Sequence, residues 1–229
     1  MYNIQKIASI YDEDYAKQYD GLYLYPWITK HEFNIENIER ILLQIPHENK
    51  KWLDTFCGQA WHFSRFPGTI AKIGVDISSA QLKLAKVRNP DATFIQGDVL
   101  DVIFPDNSFD IVTNFWAAYC YLNDFEKIES LLKRVVRWTK KDGSLYFEVL
   151  TAEALRIFNL SAYSQKTGFS INSRTPDFTE WSYEDLGGTH NMTSPPLIFF
   201  IELLSKSFNQ VEAINDRGFM THLIALGKE

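Results

Sequence analysis

The sequence predicts an α/β fold: an open, mostly parallel sheet of seven strands, helices on both faces, and an antiparallel strand at the C-terminal end. Three observations predict it. Short apolar segments alternate with helical patterns from about residue 51 to residue 150. Three of those segments lead into aspartates at equal steps, Asp54, Asp76 and Asp98, each 22 residues from the next. A strand, a turn, a helix of about ten residues and a second turn add up to that period in a parallel βαβ layout. Finally, QVEAIND and FMTHLIALGK, flanking Arg217-Gly218, read as two strands joined by a tight connection, so the last strand runs against the others.

The elements follow in order. Tyr11, Tyr15, Tyr19 and Tyr23 are spaced by four, one stripe of a helix if the segment is helical, and Pro26 and Trp27 interrupt it. EFNIENIERILLQI carries Phe33, Ile35, Ile38, Ile41, Leu42 and Ile45 at helical spacing and ends at Pro46. Strands are expected at about 51–56, 72–76, 92–96, 109–115 and 143–150, with helices at about 60–66, 79–88 and 124–139. Asn89-Pro90-Asp91, Pro105-Asp106-Asn107 and Asp142-Gly143 supply turns before strands, and Asn123 is placed to cap the helix that follows, with Glu126 in a variant capping box. The regular pattern breaks over 151–196, where aromatic residues mix with Ser, Thr, Asn, Gly and Pro as in a segment covering a site. PPLIFFIELLSKSF then starts a helix at its prolines. The expected organisation is an N-terminal helical lid at 1–32, a core at 33–150, a substrate-covering insertion at 151–196, and a C-terminal helix and hairpin at 197–229 that complete the core.

Composition narrows the function. With 229 residues, 45% hydrophobic and 15% aromatic, the chain can bury a full core. It shows neither a basic and apolar leader pattern nor an apolar run near the ~20 residues of a membrane span, so a soluble, cytoplasmic protein without a membrane partner is expected. Two cysteines, Cys57 and Cys120, give no disulfide framework and no zinc spacing, so no metal is expected. A net charge of −6 without a Lys/Arg cluster argues against nucleic acid and suits a small neutral or cationic substrate. Ligands of open α/β sheets bind outside the carboxyl ends of the strands. Three carboxylates repeated there suggest one extended ligand rich in hydroxyl and amine groups, as a nucleoside is.

The ordered motifs resemble the class I, Rossmann-like methyltransferases that use S-adenosylmethionine (SAM), from about Tyr11 to the C-terminus. Asp54-Thr55-Phe56-Cys57-Gly58-Gln59-Ala60 stands where that family has a DLGCGTG-like loop, with Phe56 and Ala60 in place of two glycines. WHFSRF continues as the family's first helix does, GVDIS resembles its ribose-binding strand end, QGDVLD its adenine-binding turn, SFDIVTNFWAAYCYL its fourth strand and loop, and YDEDYAKQYD its common opening segment.

The resemblance implies SAM as cofactor, S-adenosylhomocysteine as product, and cofactor contacts from Tyr11, Tyr15, Tyr19, Asp54, Phe56, Cys57, Gly58, Ala60, Asp76, Ile77, Asp98, Val99, Asn114, Phe115 and Trp116. Asp76 would accept from both ribose hydroxyls, or serve as a solvated turn residue. Asp98 would accept from the adenine amine beside the Val99 N–H, or form an Asx turn after Gly97. Asp54 would bind the cofactor's amino group or brace the loop. Cys57, Gly58 and Ala60 would offer backbone to the methionine part, with the Cys57 thiol a small buried group. Asn114, Phe115 and Trp116 leave strand four where the methyl group emerges, and aromatic faces there favour a sulfonium. The tyrosine stripe either packs on the domain or points Tyr11, Tyr15 or Tyr19 into the cleft. Tyr121, His190 and Tyr19 are the candidate catalytic residues, His190 because it lies in the substrate cover with a suitable intrinsic pKa, against the alternative of a surface histidine. His62 is a second candidate base.

The expected reaction is in-line methyl transfer to oxygen or nitrogen of a small molecule with an apolar or planar part. Three rivals remain: a non-catalytic SAM or S-adenosylhomocysteine binder, a nicotinamide-dependent oxidoreductase, and a protein- or RNA-methylating role. The oxidoreductase requires GxGxxG, whereas the loop holds one glycine, Gly58; acidity and the lack of added recognition modules disfavour the third.

Overall fold

The computed structural model describes residues 4–68, 70–215 and 219–229. The chain opens with helices α1 (Ile4–Ile10) and α2 (Glu13–Tyr19), then a widened π turn and a 3₁₀ turn lead into α3 (Ile28–Gln44). Tyr11 precedes α2, because the Asp12 carboxylate caps that helix by accepting from the N–H groups of Asp14 and Tyr15. The tyrosine stripe is therefore not one continuous helix: Tyr23 lies in the π turn, and Pro26 sits inside the 3₁₀ turn without ending the helical run.

The alternating section gives β1 (Lys51–Thr55), α4 (Trp61–Ser64), β2 (Ala71–Asp76), α5 (Ser79–Arg88), β3 (Thr93–Gln96), β4 (Phe109–Asn114), α6 (Phe125–Trp138) and β5 (Thr139–Val149). After β5 come α7 (Ala152–Phe158), α8 (Ala162–Lys166) and the strands β6 (Ser170–Arg174), β7 (Thr179–Asp185) and β8 (Gly188–Ser194). Helix α9 (Leu197–Leu204) and strands β9 (Phe208–Asn215) and β10 (Thr221–Lys228) complete the chain. The expected tight connection at Arg217-Gly218 lies outside the described residues. The described residues form a seven-stranded sheet in the order β3-β2-β1-β4-β5-β10-β9 and a separate antiparallel sheet β6-β7-β8. In the large sheet β10 alone runs against its neighbours, β5 and β9. The insertion, expected as a segment covering a site, contributes a whole small sheet.

Side chains of successive strand residues go to opposite faces, which splits the core in two. Leu53, Val112, Leu145 and Leu223 pack with α6 and α9, while Trp52, Ile111, Tyr146 and Ile224 pack with α3, α4 and α5. Helix α6 buries Ile128, Leu131, Leu132, Val135 and Trp138 along one stripe. Its cap is Asp124, which accepts from the Lys127 N–H; Asn123 is left-handed at φ 46° and ends the preceding 3₁₀ turn, which corrects the expected cap. Strand order reverses between β1 and β4, where a ligand crevice opens at the carboxyl ends of parallel strands. Among the described residues no helix is long and apolar enough to cross a membrane.

Candidate active site

The loop after β1 forms one wall of a cavity of about 260 Å³ at that crevice. Phe56, Gly58 and Ala60 all adopt positive φ, at 57°, 51° and 50°. Each non-glycine residue held left-handed costs about 1–2 kcal/mol. Two backbone bonds and one side chain hold the shape: Cys57 N–H donates to Val75 C=O at 2.9 Å, Ala60 N–H to Cys57 C=O at 2.8 Å, and Asn89 Nδ2 to Ala60 C=O at 3.0 Å. The space over Gly58 is open, since a methyl group there would meet only the Tyr19 hydroxyl, at 3.9 Å.

Asp76, ending β2, accepts from the N–H of Gly58 at 2.8 Å and of Ser78 at 2.9 Å, and it lines the cavity beside Ile77. Burial pushes its pKa up, against the pull of the N–H donors of Ser78, Gly58 and Ile77. Asp98 and Val99 line the cavity too, and one carboxylate oxygen of Asp98 accepts from the Leu100 N–H, so Asp98 forms its Asx turn while facing the cavity. With them stands Gln81, a residue sequence reading missed. It is buried and lines the cavity, and both atoms of its side-chain amide lack a hydrogen-bond partner among the described residues. A buried amide in that state calls for a polar ligand.

Two expected cofactor residues do not reach the cavity wall. Asp54 is buried under the loop, where it accepts from the Thr113 hydroxyl at 2.8 Å, and burial pushes its pKa well up. Its place favours bracing. Asn114 is buried between strands and donates to the Thr55 hydroxyl at 3.1 Å. The two side chains lie on opposite faces of the sheet, each held by the neighbouring strand, Asp54 by Thr113 of β4 and Asn114 by Thr55 of β1.

The opposite wall is aromatic. Tyr11 donates to the Tyr121 hydroxyl at 2.5 Å, and the Tyr121 and Tyr183 hydroxyls bond at 2.6 Å, which ties the N-terminal segment, the loop after β4 and β7 together. Tyr15 and Tyr23 both donate to the Asp185 carboxylate, at 2.7 and 2.5 Å. Burial drives the pKa values of Tyr11, Tyr121, Tyr183 and Tyr19 up, so these phenols are neutral donors at pH 7. His190 is neither on the surface nor in the cavity wall. It is buried behind Tyr183, with its Nε2 2.7 Å from Asp185, so its expected role as base lacks access to a substrate. Tyr19 and Tyr121 do face the cavity.

His31 and His62 line the cavity from α3 and α4. His31 Nε2 lies 3.0 Å from the Tyr23 carbonyl, which can only accept, and His31 Nδ1 lies 3.1 Å from His62 Nε2. Burial, then the nearby Lys30 charge, lowers the pKa of His31 to about 4, and burial holds that of His62 well down. Both are neutral at pH 7, with the His62 ring stacked on Phe115 at 3.7 Å. Trp116 follows at φ 56° and Ala117 at φ 49°. The Trp116 N–H donates to Glu148 at 2.6 Å, and the Lys30 ammonium sits 3.7 Å from the indole centroid. One face of the indole expected to meet a sulfonium is thus occupied by the chain's own cation.

Sequence reading missed Gln81, Lys30, His31, Glu148, Tyr183 and Asp185. For Gln81 a signal existed, since it stands three residues after the capping Ser78 in the first turn of α5. Lys30 and Glu148 are brought together only by tertiary folding and leave no local mark.

Residues 53–147 match the family model of a methyltransferase domain. Over 109 residues the chain is 31% identical to the phthiotriol/phenolphthiotriol dimycocerosates methyltransferase of Mycobacterium tuberculosis (strain ATCC 25177 / H37Ra), covering 45% of this chain and 40% of that protein. The chain spans less than half the length of the curated relatives it matches first. Among solved structures, Streptomyces venezuelae DesVI superposes with a TM-score of 0.69 at 20% identity, covering 95% of this chain and 100% of that one. SAM-bound CalS10 of Micromonospora echinaspora, an amino pentose methyltransferase, superposes with a TM-score of 0.59 at 16% identity, covering 90% and 98%. Residues 53–147 of this chain are thus similar to a methyltransferase domain, and the sheet that holds them has the class I, Rossmann-like fold.

Proposed function

We propose that the protein transfers a methyl group from SAM to an oxygen or nitrogen atom of a small molecule. The observation that carries this reading is the cradle at the ends of β1 and β2: a left-handed loop open above Gly58, the Asp76 carboxylate, and the unpartnered amide of buried Gln81, all facing one cavity. These residues fit the cofactor. Asp76 supplies acceptors for hydroxyl groups, Asp98 and Val99 line the cavity for a base, and Gly58 leaves room for the amino-acid part. A bound SAM supplies an electrophilic methyl on a sulfonium, which a nucleophile displaces in line.

The rest of the work falls to the chain. Tyr11, Tyr121 and Tyr183 join the parts that cover the cavity, orient a substrate there and keep water out. His31 and His62 stay uncharged, so they add no repulsion against a sulfonium. The acidic side chains Asp76, Asp98, Glu184 and Asp185 line the same space, while Arg88, the one arginine in the wall among the described residues, is paired with Asp20 at 2.6 Å. That balance supports a neutral or cationic small molecule over a nucleic acid. The amino pentose substrate named for CalS10 belongs to the same class.

Calorimetry with SAM, S-adenosylhomocysteine and NAD tests the cofactor. SAM binding in the micromolar range is expected, and tighter NAD binding would sink the reading. A panel of phenols, sugars and amines, followed by release of S-adenosylhomocysteine, separates enzyme from binder. Binding of SAM with silence across the panel would favour the binder.

A further inference from the structure

Glu148 and Lys30 stand outside the cavity wall, yet both act on a residue in it. Glu148, near the end of β5, is fully buried, and Lys30, in the first turn of α3, is nearly so. Their ion pair measures 2.5 Å. From this pair the carboxylate takes the backbone N–H of Trp116, and the ammonium covers the indole ring. Trp116 and Ala117 are both left-handed, a conformation non-glycine residues rarely adopt unless something holds them there. The indole edges in turn meet the rings of Tyr23, Trp27 and His31, at centroid distances of 6.0, 6.0 and 5.5 Å.

A buried ion pair is a poor device for stability alone, because apolar side chains of equal volume serve as well or better. What it supplies is geometry: both members reach Trp116, and Glu148 also lies 3.9 Å from His222 Nδ1. We propose that Glu148 and Lys30 are positioning residues for methyl transfer, acting through Trp116 to set the cavity wall just beyond β4, where the cofactor and substrate sides meet. This rests on the methyltransferase reading above. Substrate reaches neither Glu148 nor Lys30. Their effect falls on how closely the nucleophile is aimed, where a misplacement of about 1 Å slows a reaction by ~100-fold.

The test uses the full chain with ¹⁵N-labelled indoles, the Trp116 resonance being assigned with Trp116→Phe. Glu148→Gln strands a buried ammonium, so the neutral double variant Glu148→Gln/Lys30→Met is the second arm. In the double variant the Trp116 indole resonance is expected to move while S-adenosylhomocysteine affinity holds. With a substrate from the panel, kcat is expected to fall by ~100-fold with little change in KM. Lys30→Arg, which keeps the charge, is expected to retain most of the rate. An unmoved Trp116 resonance in the folded double variant overturns the proposal, as does a wild-type kcat. If the wild type binds neither SAM nor its product, the methyltransferase reading fails, and with it the catalytic part of the proposal. The resonance then still decides whether the pair positions Trp116.

Discussion

Replacing Asp185 by asparagine tests how the N-terminal segment is fastened over the cavity. The carboxylate accepts from Tyr15, Tyr23, His190 and the Gly187 N–H, at 2.7, 2.5, 2.7 and 2.8 Å. Burial alone would raise its pKa, but the hydrogen bonds from His190, Tyr23 and Tyr15 hold it at about 2. Against an unfolded value of about 3.9, at about 1.4 kcal/mol per unit, the ionised form is favoured by about 2.5 kcal/mol. Partial solvation of the carboxylate brings that to about 1.5–2 kcal/mol. The folded pKa is the depressed one, so this stability is present above pH ~4 and is lost as the pH falls through ~2, with roughly half remaining at pH 3. Urea unfolding of wild type and Asp185→Asn at pH 7 and pH 3 measures it. The gap should be about 1.5–2 kcal/mol at pH 7 and about half that at pH 3. An equal gap at both pH values, or none at pH 7, would refute the account of Asp185 as an ionised fastening.

Three further outcomes are expected. Asp76→Ala should weaken SAM binding about tenfold more than Asp98→Ala, since it removes acceptors for two hydroxyls and also frees the Gly58 and Ser78 N–H groups; calorimetry showing equal or reversed losses would disprove the assignment of roles. Gly74→Ala should destabilise by about 1–3 kcal/mol, because its methyl group would lie 2.6 Å from Cys57 Sγ and 2.9 Å from the Phe94 ring. Adding Cys57→Ala should recover part of that loss in thermal melts, and no recovery would show that the strain lies elsewhere. Ala60→Gly should raise stability by about 0.5 kcal/mol, as relief of the left-handed alanine exceeds the extra chain entropy of glycine; a lower melting temperature would contradict it.

The parallel core was legible because its signals are local. Helix α5 spans Ser79–Arg88 as its spacing predicts, and β2 ends on Asp76, where the apolar run IGV stops. The small sheet in the insertion was not. Along β6, SINSR, partly buried positions alternate with exposed ones, but most of them are polar, so no apolar face marks it as a strand. The tyrosine spacing of four led to the right cavity through the wrong element, because Asp12 starts the helix one residue after Tyr11. Other side chains come from segments whose proximity depends on the closed fold, as when Lys30 in α3 meets Glu148 in β5. Periodicity carries no record of such pairs.

The loop after β1 shows where reading by residue type misleads. Phe56 and Ala60 stand where glycine was expected, yet both take the left-handed conformation that glycine would provide, in step with Gly58. Their combined cost, about 2–4 kcal/mol, is set against contacts to β2: Cys57 N–H to Val75 C=O and Gly58 N–H to the Asp76 carboxylate. The position in contact with this loop that tolerates no side chain is in β2 itself, since a Cβ on Gly74 would collide with Cys57. The demand for glycine thus has two separable sources, backbone conformation and space. Here conformation is met at an energetic cost by residues with side chains, and space is met by a glycine one strand away. A loop that departs from the usual letters can therefore keep its shape, provided the neighbouring strand is read with it; Asp54 at its root is buried and bonded to Thr113 of β4, off the cavity wall.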